Sequence, residues 1–239
     1  MISLTITPGR LTRRLLTIGL FTLGSTVSIH CFASDTIKIL PLGDSITQGG
    51  NSRPSYRRAL WLKLQDAGYN VDFIGSQRGF HGDAPAESLL DFDLDHEGHW
   101  GWEANEIAEA LPEWLNDYTP DIALIHLGTN DFDRGESIAE TLSDLASILT
   151  LLFRGNPDMI VLLAEVIPMR FKSTSKLNSG INSLALSVST AGWNVMIVDQ
   201  NAGYYSLIHS YDKYHPNYRG EEKIAQQWFD AITRALQEK

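Results

Sequence analysis

The chain is 239 residues long and 43% hydrophobic, which is enough for one well-buried domain, and no internal repeat or long linker divides it. It carries 29 acidic and 19 basic side chains, a formal net charge of -10. This acidic balance argues against nucleic acid or an anionic membrane as a partner and suits a neutral substrate.

The N-terminal segment differs in composition from the remainder of the chain. Its first 34 residues contain three arginines and no acidic residue, and a mostly apolar run, residues 15–29, follows the arginines. A basic segment, an apolar run of this length and small residues near Ala33 are typical of a secretory signal peptide. The run is short for a membrane span and rich in Gly, Ser and Thr, so we expect cleavage near Ala33 and no stable membrane anchor.

Cleavage of residues 1–34 would have two consequences for the mature chain, residues 35–239. It would remove Cys31, the single cysteine, so the mature domain would contain neither a disulfide nor a thiol nucleophile. It would also remove the three arginines and change the formal net charge from -10 to -13. We therefore expect one secreted domain, either periplasmic or extracellular.

The first element predicted in that domain is a buried strand that ends in a polar turn. An apolar run, residues 37–42, is followed by Gly43, Asp44 and Ser45. In open α/β sheets ligands bind at the carboxyl ends of the strands, so Ser45 would face a crevice. All three residues are also common in ordinary turns, and the later segments decide between the two interpretations.

Helices and strands then alternate along the chain. Apolar spacing predicts helices over residues 56–67, 102–115, 137–153, 177–191 and 219–236, and strands over residues 71–75, 121–127, 159–166 and 195–198. A short extra turn is predicted over residues 204–209. This alternation indicates a three-layer α/β/α sandwich around a parallel sheet of about five strands.

A long segment, residues 76–100, lacks periodicity and is typical of a functional loop. Two metal motifs fail there on spacing. His96 and His99 are one residue too close for the H-E-x-x-H pattern, and the aspartates of the acidic part, residues 83–97, lack the glycine and glutamate of an EF-hand. We therefore predict no metal, and leave a cation on the acidic part, or the rim of a sugar-binding cleft, as alternatives.

Two further segments offer polar groups near strand or helix ends. Gly101 directly precedes the predicted helix 102–115, and backbone N–H groups at a helix N-terminus favour an oxyanion. The strand over residues 121–127 ends in a polar turn that contains Asn130. His126, inside this apolar strand, is expected to be a core histidine with its hydrogen bonds satisfied.

The last polar segment precedes the final helix and contains Asp212 and His215, three residues apart. One turn of chain could place the carboxylate against one imidazole nitrogen and leave the other facing Ser45. A serine nucleophile requires this arrangement of a base within reach and an acid that orients it. Asp199 is a rival for the acid and His209 for the base, but Asp212 has the better spacing and His209 lacks an acid three residues before it.

These segments resemble the four blocks of the SGNH, or GDSL, hydrolase superfamily: Gly43-Asp44-Ser45, a glycine opening a helix, Gly128-Thr129-Asn130-Asp131 and Asp212-x-x-His215. The resemblance implies a flavodoxin-like sheet and a serine esterase in which Ser45 is the nucleophile, His215 the base and Asp212 the orienting acid. It also implies an oxyanion hole formed by the Ser45 and Gly101 amides and the Asn130 side chain. Gly98 and Gly75 are alternatives to Gly101.

Further motifs resemble carbohydrate esterase family three: residues 41–47, 56–61, 71–76 and 96–102. Members of that family are acetylxylan esterases, which implies an acetylated carbohydrate as the substrate, no cofactor, and Asp44 and Trp100 beside the substrate. Trp100 stands where a smaller residue, often serine, is expected in this family, so the resemblance does not define the shape of the acyl pocket.

The sequence thus predicts a secreted serine esterase that removes acetyl groups from a carbohydrate. A lipid or thioester acyl hydrolase on the same scaffold is the main alternative. A carbohydrate-binding module without catalysis is a second one, although such a module would need none of Ser45, Asn130, Asp212 and His215. The oligomeric state is left open, with a monomer as the default.

Overall fold

Parallel strands form the centre of the fold, which a computed structural model describes for residues 36–238. The strands are β1 Ile37–Gly43, β2 Val71–Phe73, β3 Glu97–Gly98, β4 Ile122–His126, β5 Ile160–Ala164 and β6 Val195–Val198. They lie in the order β2-β1-β4-β5-β6, and β3 pairs with the end of β1 beyond β2. Without the short β3 this is the 2-1-3-4-5 order of flavodoxin-like sheets, so the predicted fold class is confirmed.

The polar turns after β1 and β4 lie side by side. The two strands pair in register, with Leu42 opposite Ile125 and Gly43 opposite His126. The chain leaves β1 toward β2 on one side and leaves β4 toward β5 on the other. This reversal is a topological switch point, where open α/β sheets bind their ligands.

Helices cover both faces of the sheet. They are α1 Ser45–Gln48, α2 Ser55–Asp66, α3 Ala104–Trp114, α4 Thr129–Arg134, α5 Ile138–Gly155, α6 Ser175–Thr190, α7 Ser206–His209 and α8 Tyr218–Gln237. One apolar core lies between the sheet and α2 with α8, and a second between the sheet and α3, α5 and α6. The predicted three-layer sandwich follows from these two cores.

Local sequence explains the sharpest element boundaries. Helix α5 begins after Ser137, whose hydroxyl accepts a hydrogen bond from the Glu140 amide while the Glu140 carboxylate accepts one from the Ser137 amide. This capping box satisfies amides that the first turn of the helix leaves unpaired. Every residue of β4 is buried, as expected of a central strand covered on both faces.

Four short elements were absent from the prediction: α1, α4, β3 and a 3₁₀ turn at Glu87–Leu89. The predicted signal peptide and its boundary at residue 34 lie outside the described residues. Within residues 36–238, no helix is long and apolar enough to cross a membrane.

Candidate active site

Strand β1 places Ser45 at the switch point, as the first residue of α1. A Cβ atom on Gly43 would lie 2.3 Å from the Thr47 hydroxyl oxygen and 2.9 Å from the His126 carbonyl oxygen, so only glycine fits there. This close approach lets the chain turn directly from strand to helix. Ser45 is 7% exposed and lines two adjoining cavities.

Asp44 shapes the turn from beneath and does not reach the substrate space. Its carboxylate is fully buried and accepts a hydrogen bond from the Ile46 amide at 2.8 Å, which caps α1. Burial, reinforced by the nearby charge of Asp131, raises the pKa of Asp44 to about 7. The expectation that Asp44 binds substrate is therefore wrong, because the residue is sealed under the turn that presents Ser45.

His215 connects Ser45 to Asp212 in a continuous hydrogen-bonded relay. Its Nε2 atom lies 2.9 Å from the Ser45 hydroxyl oxygen, and its Nδ1 atom lies 2.7 Å from the Asp212 carboxylate. The three residues come from two ends of the chain, the turn after β1 and the loop before α8. Such a relay can accept a proton from the serine hydroxyl while the carboxylate stabilises the imidazolium that forms.

The loop itself fixes the Asp212 carboxylate. One oxygen accepts hydrogen bonds from the backbone amides of Tyr214 at 2.8 Å and His215 at 2.6 Å, and the other faces the imidazole ring. Partial burial opposes ionisation, but the hydrogen bonds from the His215 ring and from these amides outweigh it and lower the pKa of Asp212. Asp212 is therefore held ionised and aimed at His215.

Three polar hydrogens surround the space beside Ser45. The Asn130 side chain, on α4, donates one hydrogen bond to the Trp102 carbonyl oxygen at 2.8 Å, which leaves its second N–H free. Within the described part of the chain, the amides of Ser45 and Gly101 donate to no acceptor. Gly101 and Asn130 line the same cavity as Ser45, so the three donors suit an oxyanion hole.

Gly101 does not lie at a helix N-terminus, contrary to the prediction. Helix α3 begins at Ala104 with Glu103 as its N-cap, so Gly101 lies two positions before the cap and is not at the helix N-terminus. A left-handed backbone conformation, with φ of 79°, orients Gly101 instead, and its carbonyl oxygen accepts a hydrogen bond from Arg134 at 2.8 Å.

The rival residues are engaged elsewhere. The Gly98 amide donates to the His96 ring, and Gly75 lies against the His96 backbone. His209 accepts a hydrogen bond from the Tyr205 amide, and Asp199 accepts one from the Ala202 amide. None of the four lines a cavity beside Ser45 in residues 36–238.

A buried network holds the segment before Gly101. The Glu97 carboxylate accepts hydrogen bonds from the hydroxyls of Ser76 and Tyr118 and faces the His99 ring at 3.1 Å. Burial opposes ionisation, yet these bonds outweigh it and lower the pKa of Glu97. The network uses the same histidine and glutamate that suggested a metal motif, and no group of three metal-ligating side chains converges among the described residues.

Acidic residues of the preceding loop also have protein partners. Asp91 pairs with Arg58 at 2.6 Å, Asp95 pairs with Arg78 at 2.8 Å, and Asp93 accepts a hydrogen bond from the Phe73 amide at 3.0 Å. Asp91 and Asp93 thus attach the loop to α2 and β2.

His126 is buried as expected, but its hydrogen bonds are not satisfied. Neither ring nitrogen has a partner among the described residues, and burial lowers the pKa of His126 to about 4. The prediction of a satisfied core histidine was therefore wrong: β4 is buried along its whole length, and no polar group of the described residues reaches the ring.

Trp100 separates the two cavities that meet at Ser45. Its ring stacks on His215, with centroids 4.6 Å apart, and on His81, with centroids 4.1 Å apart. On one side lies a cavity of about 580 Å³ rich in polar groups, including Glu106, Asp133, Arg134 and Tyr214. On the other side lies a cavity of only about 20 Å³, bounded by groups that include Arg53, Tyr211 and Glu221.

Asp133 is a site residue that the sequence prediction missed. Its carboxylate accepts hydrogen bonds from Lys213 Nζ and the Tyr214 hydroxyl, both at 2.6 Å. These contacts tie the loop of Asp212 to α4, which carries Asn130. Its position three residues after Asn130, in the same polar turn, was the available signal.

Comparison with known proteins assigns the chain to a family. Residues 42–223, most of the described chain, match the GDSL-like lipase/acylhydrolase family. The chain belongs to this family. The superfamily resemblance read from the sequence is thereby confirmed, and the protein is a carboxylic ester hydrolase.

Several relatives of this GDSL esterase carry more specific names. A family 3 carbohydrate esterase from Clostridium thermocellum is 32% identical, with a TM-score of 0.73 over 84% of this chain and 98% of that one. A carbohydrate esterase family 3 structure from Talaromyces cellulolyticus is 29% identical, with a TM-score of 0.75 over 85% and 100% of the two chains. A multidomain esterase from Ruminococcus flavefaciens is 29% identical over 84% of this chain, which spans 29% of that relative's length.

Proposed function

We propose that this esterase removes acetyl groups from a carbohydrate, with acetylxylan as the favoured substrate, through an acyl-enzyme formed on Ser45. The Ser45, His215 and Asp212 relay opens on one side to a large polar cavity and on the other to a cavity of about 20 Å³. An ester with a bulky polar alcohol and a very small acyl group fits these two spaces.

The residues of the relay supply each proton transfer of the reaction. The Ser45 hydroxyl oxygen attacks the ester carbonyl while His215 Nε2 takes its proton, and Asp212 stabilises the imidazolium. The carbonyl oxygen, now an oxyanion, accepts hydrogen bonds from the Ser45 amide, the Gly101 amide and the free N–H of Asn130. Each such donor typically lowers the barrier by about 3 to 4 kcal/mol, since the charge it meets exists only in the transition state.

The tetrahedral intermediate then breaks its bond to the alcohol oxygen. His215 gives the proton to that oxygen, the sugar leaves, and the acetyl group stays bound to Ser45. A water molecule, activated by His215 in the same way, attacks the acetyl carbonyl and releases acetate and free Ser45. No cofactor enters these steps.

Cavity shape supports the carbohydrate as the alcohol. The large cavity presents carboxylates and a guanidinium to sugar hydroxyls, and Trp102 and Tyr214 offer aromatic surface to a sugar ring. The small cavity holds little more than one water-sized group, which matches a methyl. Two relatives at 29% and 32% identity are named carbohydrate esterases, and another, 28% identical, is a mutant acetyl esterase solved with an acetate ion.

Secretion belongs to the proposal as well. It is supported by the composition of residues 1–34, with their basic start and apolar run, and by the acidic charge of the remaining chain. An extracellular or periplasmic site would bring the enzyme to a polysaccharide.

The test is acetate release from acetylated xylan, measured beside p-nitrophenyl acetate and p-nitrophenyl octanoate. Ser45→Ala should abolish hydrolysis of both acetyl substrates, and Ser147→Ala, on the exposed surface of α5, is the matched control. Preference for octanoate would favour a lipid or thioester hydrolase instead. Ester hydrolysis that does not depend on Ser45, or none at all, would favour a binding module.

A further inference from the structure

A second cavity lies directly behind the small cavity at Ser45. It has a volume of about 270 Å³, and three residues line both spaces, namely Arg53, Ser55 and Glu221. These three residues, here called the partition, therefore separate the small cavity from the second one. Beyond them the second cavity is walled partly by apolar groups, including Pro54, Ala59 and Leu89.

The segment that carries Arg53 has a strained and well-anchored backbone. Asn51, Ser52 and Ser55 all have positive φ, at 52°, 66° and 60°, although none is glycine. The Ser52 amide donates to the Asp83 carbonyl oxygen at 2.9 Å, and the Ser55 hydroxyl to the Thr47 carbonyl oxygen at 3.0 Å. Such strain persists only where surrounding contacts fix the backbone, so the backbone on both sides of Arg53 is held in place at the partition.

Glu221 closes the partition from the opposite side. It lies in the first turn of α8, its side chain is 8% exposed, and its carboxylate is 3.9 Å from the Arg53 guanidinium. Arg53 in turn lies over the Tyr211 ring, 5.1 Å from its centroid, and Tyr211 stacks on His215. Tyr211 therefore connects the partition to the proposed catalytic base.

The position of the acyl group follows from the oxyanion donors. Gly101 and Asn130 line the large cavity and do not line the small one. With the ester oxygen at these donors and the sugar in the large cavity, the acyl substituent points into the small cavity. This step rests on the proposed function.

We propose that Arg53 and Glu221 set the acyl length that this esterase accepts. They end the acyl pocket after a group of acetyl size and close it off from the second cavity, which would hold the chain of a longer acyl group. Removal of either side chain would join the two spaces into one partly apolar channel that begins at Ser45.

The experiment measures kcat/KM for p-nitrophenyl acetate and p-nitrophenyl hexanoate in the wild type, Glu221→Ala and Arg53→Ala. Each variant should raise the hexanoate-to-acetate ratio by about tenfold or more, since a methylene that gains an apolar site typically changes specificity by ~10-fold or more. Glu222→Ala is the matched control, because Glu222 lines the second cavity but not the small one. It should leave the ratio at the wild-type value.

Two variants on different elements keep the test decisive if one fails to fold. Arg53 is on the α1–α2 connection and Glu221 is on α8, and thermal melting identifies a misfolded variant. An unchanged ratio in the folded variants, with acetate hydrolysis still dependent on Ser45, would overturn the role of the partition alone. A wild type that prefers hexanoate would overturn both this inference and the proposed acetyl specificity.

Discussion

Asp212 orients His215 through a hydrogen bond whose direction depends on one side-chain atom. One carboxylate oxygen accepts two backbone N–H bonds and the other accepts from His215 Nδ1. In Asp212→Asn the amide oxygen can keep the two backbone bonds, while the new NH₂ group faces Nδ1 as a donor. The ring must then present Nδ1 as an acceptor, which leaves Nε2 protonated and unable to accept the serine proton.

We therefore predict that Asp212→Asn lowers kcat by about 10³- to 10⁴-fold with little loss of stability. Steady-state hydrolysis of p-nitrophenyl acetate and a thermal melt check both parts. Asp199→Asn is the matched control, since Asp199 lines neither cavity at Ser45 and accepts a hydrogen bond from the nearby Ala202 amide. A comparable loss of kcat in that control would contradict the assignment of Asp212.

Single residues were predictable where sequence spacing alone constrains them. Asp212 and His215 are three positions apart, and this spacing indicated the contact that the structure contains. Asp44 was misjudged because its surroundings include Thr129 and Asp131, which are distant in sequence and which no local pattern places there. The unsatisfied ring of His126 was missed for a similar reason. A hydrogen-bond partner for a side chain in a central strand has to come from a segment distant in sequence.

Helix α1 is only four residues long and depends on its cap. A helix this short cannot be stable by itself, because nucleation costs more than so few hydrogen bonds return. The Asp44 carboxylate holds it by accepting from the Ile46 amide, and the turn so formed aims Ser45 at His215.

We predict that Asp44→Ala loses about 1 kcal/mol of unfolding free energy relative to Asp44→Asn, because asparagine keeps a capping oxygen and alanine does not. Asp44→Ala should also lower kcat more, since the serine turn loses its anchor. Urea unfolding at pH 7 and p-nitrophenyl acetate kinetics measure the two effects. Equal stability and equal kcat in the two variants would contradict a capping role.

Long elements were predictable and short ones were not. The helices α2, α3, α5, α6 and α8 have enough turns for an apolar stripe, and each was predicted to within a few residues. Strand β3 has two residues and α4 has six, which is too few to show a periodic pattern of apolar residues. The predicted start of α3 was two residues too early, so the prediction wrongly placed Gly101 at the N-terminus of this helix.

The alternation of strands and helices along the sequence predicted the layers and the sheet. It could not predict the cavities, because these form where segments distant in sequence meet. The small cavity joins the turn after β1, Trp100 and the loop before α8. Its size depends on side chains such as Arg53 and Glu221, which carry no sequence signal for a role beside Ser45.

The packing of α8 against the rest of the molecule gives a pH-dependent stability. Glu221 is buried, and burial raises its pKa to about 7, outweighing the opposing charge of Arg53. An acid whose pKa is higher in the folded state binds more protons there between the unfolded value and about pH 7. Its contribution to the free energy of unfolding therefore falls as pH rises through this window and is constant above it.

Glutamine at position 221 cannot ionise, so Glu221→Gln removes the fall in unfolding free energy that ionisation of Glu221 causes as pH rises. We predict that the unfolding free energy of Glu221→Gln minus that of the wild type is larger at pH 8 than at pH 4.5, by at most about 3 kcal/mol. Urea unfolding of both proteins across this range measures the difference, and Glu222→Gln, which loses a partly exposed carboxylate paired with Lys63, is the control. A difference between Glu221→Gln and wild type that does not change with pH would mean that Glu221 is solvated in the folded protein, and the partition beside Ser45 would then be open to water.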